Sequence, residues 1–463
     1  MRLHCHTLEE RTKSLTILLT LCVLLAATTE ARAQAAFDVI SSNRNVSASN
    51  YCIYPDTIDA VMTPPPAGMK PFYISHYGRH GSRYLNSRKG YDIPYNMLCR
   101  ADSMGLLTPT GKKVLLALRD IIADSEGRWG DLTGIGKQQH RDIARRMVQR
   151  FPEVFDGKAY VDARSTVVPR CILSMGAAIQ QLTAMNPNLS VTMDASKHDM
   201  WYMNFQDTVL FREKMTPESK AAYDAFFDKR KHNPRLMEVL FTEPDSARKV
   251  VADEWLNYYL IKTALVQQNT HMHTYLELLD LFTLEEIHLF WQIENAWWYV
   301  MHGPSPLNGG CRPYNQRHLL RQIIHEADSC LRLPQHGASL RFGHETIILP
   351  LVCLMGINGF DQQIADLEHV EDAGWWAYLV FPMASNLQII FYRSDTLKSQ
   401  ISLQRHTLEE RNLKSNDDIL VKVLLNEQEA RLPLPADQAP YYRWQDFRQY
   451  YLKKIDDYEV TLR

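Results

Sequence analysis

The chain has 463 residues, of which 45% are hydrophobic and 22% charged, with 22 prolines and a formal net charge of −2 at pH 7. These values exclude a disordered or collagen-like chain and allow a large buried core. The near-neutral charge also argues against a nucleic-acid surface, which needs a basic excess, so any anion site must be local.

At the N-terminus, Arg2, Arg11 and Lys13 flank the start of an apolar run, Ser14 to Ala27, which is followed by the small-residue pattern Ala31-Arg32-Ala33. This reads as a cleavable secretory signal over residues 1–33 and implies an exported protein, periplasmic or secreted, with no stable membrane partner after cleavage. The run is too short for a comfortable membrane span, and no later stretch resembles it. Six cysteines follow: Cys52, Cys99, Cys171, Cys311, Cys330 and Cys353. Export permits disulfides, and Cys52 with Cys99 and Cys311 with Cys330 are the first pairs to test. No CxxC occurs, which removes zinc-ribbon and thioredoxin-type chemistry.

Residues 34–70 read as an irregular lead-in ending in three prolines, Pro64 to Pro66. A short β-rich run, Pro71 to Ser75, then delivers the chain into HYGRHGSRY, His76 to Tyr84. Apolar spacing predicts helices over 108–123 and 133–151, the second capped by Thr133. Ala159 to Thr166 reads as a strand, Val168 to Leu182 as a helix, and SVTMDA as a third element of β character. From 191 to 314 aromatic-rich helical patterns replace strand signals. These return at Ala338 to Gly343, before a helix-like ETIILPLVCLMG, strand-like runs at Trp375–Pro382 and Leu387–Arg393, and a hairpin of ILVKVLL with RLPL around Asn426–Glu429. The pattern predicts an α/β fold, a mixed sheet flanked by helices with an inserted α-helical cap. The core would span 34–190 and 315–463, and the cap 191–314.

The chemistry concentrates at three predicted strand ends. After the first, Arg79 and Arg83 offer forked donors that match phosphate oxygens, and Gly78 and Gly81 let backbone approach a bound group. Between the arginines lies His80, a competent nucleophile when neutral. After Ala338–Gly343 come His344 and Glu345, an acid placed to protonate a leaving alkoxide. The HExxH metal motif is absent, because Ile348 stands where the second histidine would be. Arg170 opens the third helix, where its charge and free backbone amides can face an anion. Arg88 and Lys89 are placed to contact further substrate phosphates or to form a solvated turn. His76 reads as structural.

GRHGSRY resembles the RHGxRxP signature of the histidine acid phosphatases, branch two of the histidine phosphatase superfamily, and GHET resembles that family's second motif. GDLTGIGKQQH is similar to the family's LTxxGxxQ, and the features occur in the family's order over nearly the whole chain after the signal. Ser82-Arg83 separates it from the phosphoglycerate mutase branch, which reads RHGE or RHGQ. RHGSRY, FTLEEIHLFWQIENAWWYVMHG and FPMASNLQIIFYR look most like the multiple inositol polyphosphate phosphatases and phytases. Leu85 replaces the usual proline, and the acid after His344 is Glu345 rather than aspartate.

The resemblance implies a histidine phosphatase fold and a phosphomonoesterase in which His80 forms a phosphohistidine. Arg79, Arg83, Arg170 and His344 would hold the phosphoryl group, and Glu345 would act as proton donor. It implies no cofactor and no metal, a small phosphomonoester as substrate, inositol polyphosphates such as phytate first, and no nucleic-acid partner. A broad acid phosphatase for small organic phosphates and a non-catalytic phosphate-binding relative remain as alternatives.

Overall fold

The structure is a computed structural model that describes residues 36–58, 60–272, 276–331, 337–395 and 419–462. The expected signal over 1–33 lies outside the described residues. Among those described, no helix is long and apolar enough to cross a membrane.

Strand β1 (Met69–Arg79) is buried on both faces from Pro71 onward, as are β4 (Gly337–Gly343) and all but the last residue of β5 (Asn386–Ser394). That is why their sequences read as continuous apolar runs without alternation. With β2 (Tyr160–Ser165), β3 (Ser190–Asp194), β6 (Leu420–Leu425), β7 (Gln428–Glu429) and β8 (Tyr442–Arg443) they form an eight-stranded sheet ordered β3-β2-β4-β1-β5-β6-β7, with β8 on β6. β3, β2, β4 and β1 are mutually parallel, while β5 and β6 run antiparallel.

Alternate residues of each strand enter different cores. Ile74, Leu340, Ile390 and Leu424 pack with helices α1 (Gly134–Arg150) and α2 (Pro169–Met185). On the other side, Tyr73, Tyr77, Ile389 and Val423 pack with α3 (Leu284–His302), α4 (Arg317–Cys330), α5 (Glu345–Met355) and α6 (Trp444–Thr461). The sheet is thus the middle of three layers. Between Lys197 and Cys330 every regular element described is helical. Part of that stretch shares a core with the helices Lys89–Ser103 and Pro109–Ser125, through Leu240, Leu260 and Phe290 against Leu98 and Leu118.

Register places the site. Arg79 of β1 lies opposite Gly343 of β4, and Ser165 of β2 opposite Phe342. His80, His344 and Thr166 therefore leave three adjacent parallel strands at one level, where ligands of such sheets bind.

Four local expectations are corrected. The lead-in holds a 3₁₀ segment, Arg44–Tyr51, capped by Asn43. Trp375–Pro382 is not a strand, because Asn295 of α3 accepts from the Ala377 amide (2.8 Å) and donates to the Trp375 carbonyl (2.8 Å), taking the groups a ladder would need. The hairpin turn is only Asn426-Glu427, both at positive φ (52° and 64°), so Gln428 already pairs with Leu425. RLPL lies beyond β7, and Arg431 bonds Asn358 instead. The six cysteines are free thiols. Cys311 lies near Tyr314 and Tyr458 before the start of α4, whereas Cys330 ends that helix of roughly 20 Å beside Tyr73, so the two have different neighbours and are not paired. Cys52 Sγ turns toward the Ile53 carbonyl at 3.6 Å, whereas Cys99 lies beside Tyr95 on its own helix.

His76 of β1 and His140 of α1 are buried, and both rings pack on Phe342, at 5.4 and 5.5 Å between centroids. Burial, then His140 and Arg341, pushes His76 down to about 3, and burial pushes His140 down to about 4. Both are neutral when folded, but the unfolded chain binds protons near pH 6.5. Their contribution to stability is complete above pH 6.5 and is lost as pH falls toward 4 and then 3. Unfolding by denaturant across pH 7 to 4 should show a loss of a few kcal/mol, and His140→Gln should flatten that slope; an unchanged slope would disprove the assignment.

Candidate active site

The backbone of the first motif is fixed before its side chains are. As β1 ends, the Arg79 amide donates to Ser385 O (2.7 Å), the His80 amide donates to Gly343 O (2.9 Å), and His80 O accepts from Ala384 N (3.0 Å). A Cβ on Gly81 would lie 2.3 Å from the Gly136 carbonyl oxygen, and one on Gly136 would lie 2.4 Å from Ser82 O. The two glycine segments therefore interlock through backbone alone. Thr133 caps α1 and also donates its amide and hydroxyl to Ser82 O, at 2.9 and 3.1 Å. Gln139 accepts from the Ser82 amide (2.9 Å) and donates to Ser82 Oγ (2.9 Å), which in turn donates to Asn269 Oδ1 (2.6 Å). Asn269 and Tyr51 extend the frame to the lead-in, through Asn269 Nδ2 on Tyr51 O at 2.7 Å.

Within this frame Arg79, His80 and Arg83 have no exposed surface, and His344 and Glu345 are each 7% exposed. Glu345 opens α5, and its carboxylate is the meeting point. Arg79 Nε lies 3.2 Å from Oε2, His80 Nε2 3.4 Å from Oε2, and Arg83 Nη2 3.4 Å from Oε1. Asn50 Nδ2 also reaches Oε1, at 3.4 Å. The Arg79 and His80 contacts lie within ion-pair range but lack hydrogen-bond geometry, so Arg79 Nε, Arg79 Nη2 and His80 Nε2 have no hydrogen-bond partner among the described residues. Arg79 is anchored instead by Nη1 on Phe381 O (2.7 Å), and Arg83 by Nη1 on Tyr84 O (2.9 Å) and Tyr51 Oη (3.1 Å).

The imidazoles are oriented. His80 Nδ1 lies 2.9 Å from Gly81 O, and a carbonyl only accepts, so the proton sits on Nδ1 and the Nε2 lone pair is free. The His344 ring stands 5.8 Å from that of His80, with Thr166 Oγ1 at 3.2 Å from Nε2. Burial holds His80 well below the usual histidine range, against the pull of Glu345. Burial lowers His344 to about 4, Glu345 opposing and Arg170, Arg79 and Arg83 adding to it. For Glu345, burial acts upward, but the guanidiniums of Arg79 and Arg83 hold the carboxyl well below its usual range. The resting site thus contains two neutral imidazoles, one carboxylate and buried guanidiniums.

Arg170 sits in the first turn of α2, half-buried, in electrostatic reach of Arg83 and Glu345, and its Nε has no partner among the described residues. Arg88 and Lys89 are exposed, and Arg88 is held by Asp92 (3.0 Å) and Glu126 (3.4 Å). Among the described residues no contact joins either to the Glu345 cluster. His80, His344 and Glu345 bring ligand atoms within 4.8 Å of one another. A divalent cation there would face the fixed charges of Arg79 and Arg83, so the donor set suits an anion. Leu85 donates its amide to Tyr91 Oη at 3.0 Å, a bond that a proline at this position lacks. Sequence reasoning missed Asn50, Tyr51, Thr166 and Asn269, which carry no motif. Gln139 fills the last position of the LTxxGxxQ-like segment, where it carried no assigned role.

The family model described as histidine phosphatase superfamily (branch 2) matches residues 78–426. No curated protein matches the chain. Among solved structures, the Bifidobacterium longum multiple inositol polyphosphate phosphatase in complex with inositol hexasulfate superposes with a TM-score of 0.71 at 17% identity, covering 88% of this chain and 97% of that one. Its phosphate complex gives 0.70 at 18% identity, with the same coverage of 88% and 97%. The phytase from D. castellii gives 0.58 at 13% identity, covering 89% of this chain and 85% of that one. At such identities the likeness establishes the shared fold.

Gly136→Ala tests the interlock directly. The added methyl must displace Ser82 backbone, so the variant should lose about 1–3 kcal/mol in chemical denaturation. Gly176→Ala on α2, where a Cβ meets nothing within 4 Å, should be neutral or stabilising. Equal stabilities for the two variants would refute the close-packing argument.

Proposed function

Because this chain belongs to branch 2 of the histidine phosphatase superfamily, we propose that it hydrolyses phosphomonoesters through a phosphohistidine on His80, with inositol polyphosphates as its substrate class. One observation carries the reading: a buried, neutral imidazole whose Nδ1–H is fixed on Gly81 O leaves Nε2 without a hydrogen-bond partner, beside a Glu345 carboxylate that the buried guanidiniums of Arg79 and Arg83 also meet. The folds of an inositol polyphosphate phosphatase and a phytase support the substrate class.

In this scheme the non-bridging phosphoryl oxygens take the open donors of Arg79, with Arg83, Arg170 and His344 closing around them. Phosphoryl transfer needs mainly positioning and charge stabilisation, which preorganised guanidiniums supply without a metal. His80 Nε2 attacks phosphorus, the P–O ester bond breaks, and the imidazolium that forms keeps its Nδ1–H on Gly81 O. Burial is what keeps this nucleophile unprotonated in acid.

Glu345 must donate a proton to the leaving oxygen, yet in the resting site its carboxyl is strongly acidic. Substrate resolves the conflict. A phosphate dianion takes over Arg79 and Arg83 and sets a negative charge beside the carboxylate, and both changes raise its proton affinity. Glu345 then protonates the alkoxide. In the second half it accepts a proton from water, whose oxygen attacks phosphorus, and the P–N bond breaks to release phosphate and neutral His80.

Purified protein assayed with phytate and p-nitrophenyl phosphate tests the scheme. His80→Ala should lose at least roughly a thousandfold in kcat on both, and chelator should have no effect. Wild-type-like activity in the variant, or loss on chelation, would reject the mechanism. Glu345→Gln should slow phytate turnover about 10²–10⁴-fold but affect the aryl ester much less, because p-nitrophenolate leaves without a proton. Equal losses would deny Glu345 the acid role.

The acid limb of kcat/KM should lie well below pH 6.5, because burial keeps the nucleophile His80 unprotonated far into acid. A limb centred near pH 6.5 would show that the histidines are not held neutral.

A further inference from the structure

One backbone conformation in the lead-in calls for a physical reason. Ser49, inside the 3₁₀ segment Arg44–Tyr51, stands at φ 54° and ψ −115°, a region that residues with a Cβ enter only under constraint. Its side chain does not supply that constraint, because Ser49 Oγ is buried without a hydrogen-bond partner among the described residues. The neighbours do. Tyr51 O accepts from Asn269 Nδ2 (2.7 Å), the Ile53 amide donates to Gln268 Oε1 (2.9 Å), and Cys52 O accepts from the Met383 amide (2.8 Å). The helix Asp253–Val266 and α3 pack against the segment as well. Strain held in place from outside marks a position where the aim of nearby side chains matters.

The residues so aimed are Asn50 and Tyr51. Tyr51 meets Arg83, through Oη at 3.1 Å and its ring at 4.8 Å. Asn50, 7% exposed, reaches a residue 295 positions away, with Nδ2 at 3.4 Å from Glu345 Oε1. The two oxygens of that carboxylate are thereby unlike. Oε1 accepts from Asn50 Nδ2 and from Arg83 Nη2, each at 3.4 Å. Oε2 lies 3.2 Å from Arg79 Nε and 3.4 Å from His80 Nε2, in neither case with hydrogen-bond geometry. An amide NH2 group and a guanidinium only donate, so an oxygen that they face must stay an acceptor. The last torsion of a glutamate is broad and roughly two-fold, so nothing within the side chain itself decides which oxygen points where. A phosphate dianion competes for the two guanidiniums by charge, and the neutral amide of Asn50 is left on Oε1.

We propose that Asn50 is a positioning residue for proton transfer: it holds Glu345 Oε1 as an acceptor, so that the carboxyl proton resides on Oε2, the oxygen beside His80 Nε2. This role presupposes the phosphohistidine reaction proposed above and adds the group that orients its acid. As the ester P–O bond breaks, the leaving oxygen takes the proton from Oε2, and the O–H bonding pair stays on the carboxylate. In the hydrolytic half, water returns a proton to Oε2 while its oxygen bonds to phosphorus, and the P–N pair goes back to His80 Nε2. Without Asn50 the carboxyl turns about its last torsion, and the proton lies as readily on the oxygen that faces Arg83 and the lead-in.

Steady-state kinetics of wild type, Asn50→Leu, which keeps the volume, and Asn50→Ala test the role. For phytate, whose alkoxide needs the proton, kcat should fall about tenfold or more in both variants while KM changes less than roughly threefold. For p-nitrophenyl phosphate kcat/KM should stay within about threefold of wild type, and across aryl phosphates of increasingly basic phenols the loss should grow. Adding Asn50→Ala to Glu345→Gln should cost nothing further, because the amide then has no acid to orient. An unchanged kcat for phytate, a loss carried by KM alone, equal losses on the two esters or additive losses in the double variant would each overturn the role of Asn50. Any of these leaves the phosphatase reading in place so long as wild type turns over the esters. Turnover of neither ester by wild type would instead remove that reading. Circular dichroism confirms the folding of each variant, and should Asn50→Leu not fold, Asn50→Ala carries the comparison.

Discussion

One buried carboxylate governs the architecture of this site. Arg79 and Arg83 have no exposed surface, and Glu345 is the acid within ion-pair range of both. Two guanidiniums cannot be taken out of water without a counter-charge, so the start of α5 and the end of β1 must meet. The parallel pairing of β1 with β4 makes them meet, since Arg79 stands opposite Gly343 and Glu345 follows two residues later. A phosphate group has the charge to replace the carboxylate as the counter-ion. The same charge balance that holds these residues together is therefore the one such an anion would shift.

The histidines show how environment divides one residue type into different roles. His76 and His140 face each other's layer of the core and pack on Phe342, where a neutral aromatic ring suffices. His80 is equally buried, but its Nε2 is aimed at the Glu345 cluster and its Nδ1 is tied to backbone. His344 sits between Thr166 and the arginines. Burial lowers all four, and position alone separates the two that fill the core from the two that border the Glu345 carboxylate.

The site is held less by its charged residues than by the uncharged frame beneath them. Gly81 against Gly136, and Ser82 among Thr133, Gln139 and Asn269, fix the loop through backbone and amide contacts. Charged side chains held at one point by carbonyls, as Arg79 is by Phe381, keep their remaining donors free. Such preorganisation is what electrostatic catalysis requires.

The sequence by itself determined which residue types gather at the strand ends and most of the strands and helices that carry them. Strand-end clusters at His80, Arg170 and His344-Glu345, the Thr133 cap, and the strands at 71–75, 159–166 and 387–393 were all readable, because helix and strand periods and motif spacing are local properties. Tertiary structure decided the rest. Trp375–Pro382 has strand composition, yet Asn295 takes its backbone groups. Arg88 carries the same charge as Arg83, yet Asp92 and Glu126 hold it outside. Asn50, Tyr51 and Thr166 bear no motif and acquire meaning only by touching Arg83, Glu345 or His344. A residue's type and neighbours in sequence fix what it is able to do. Which partner it finds depends on strand register and helix packing, and these bring together positions hundreds of residues apart.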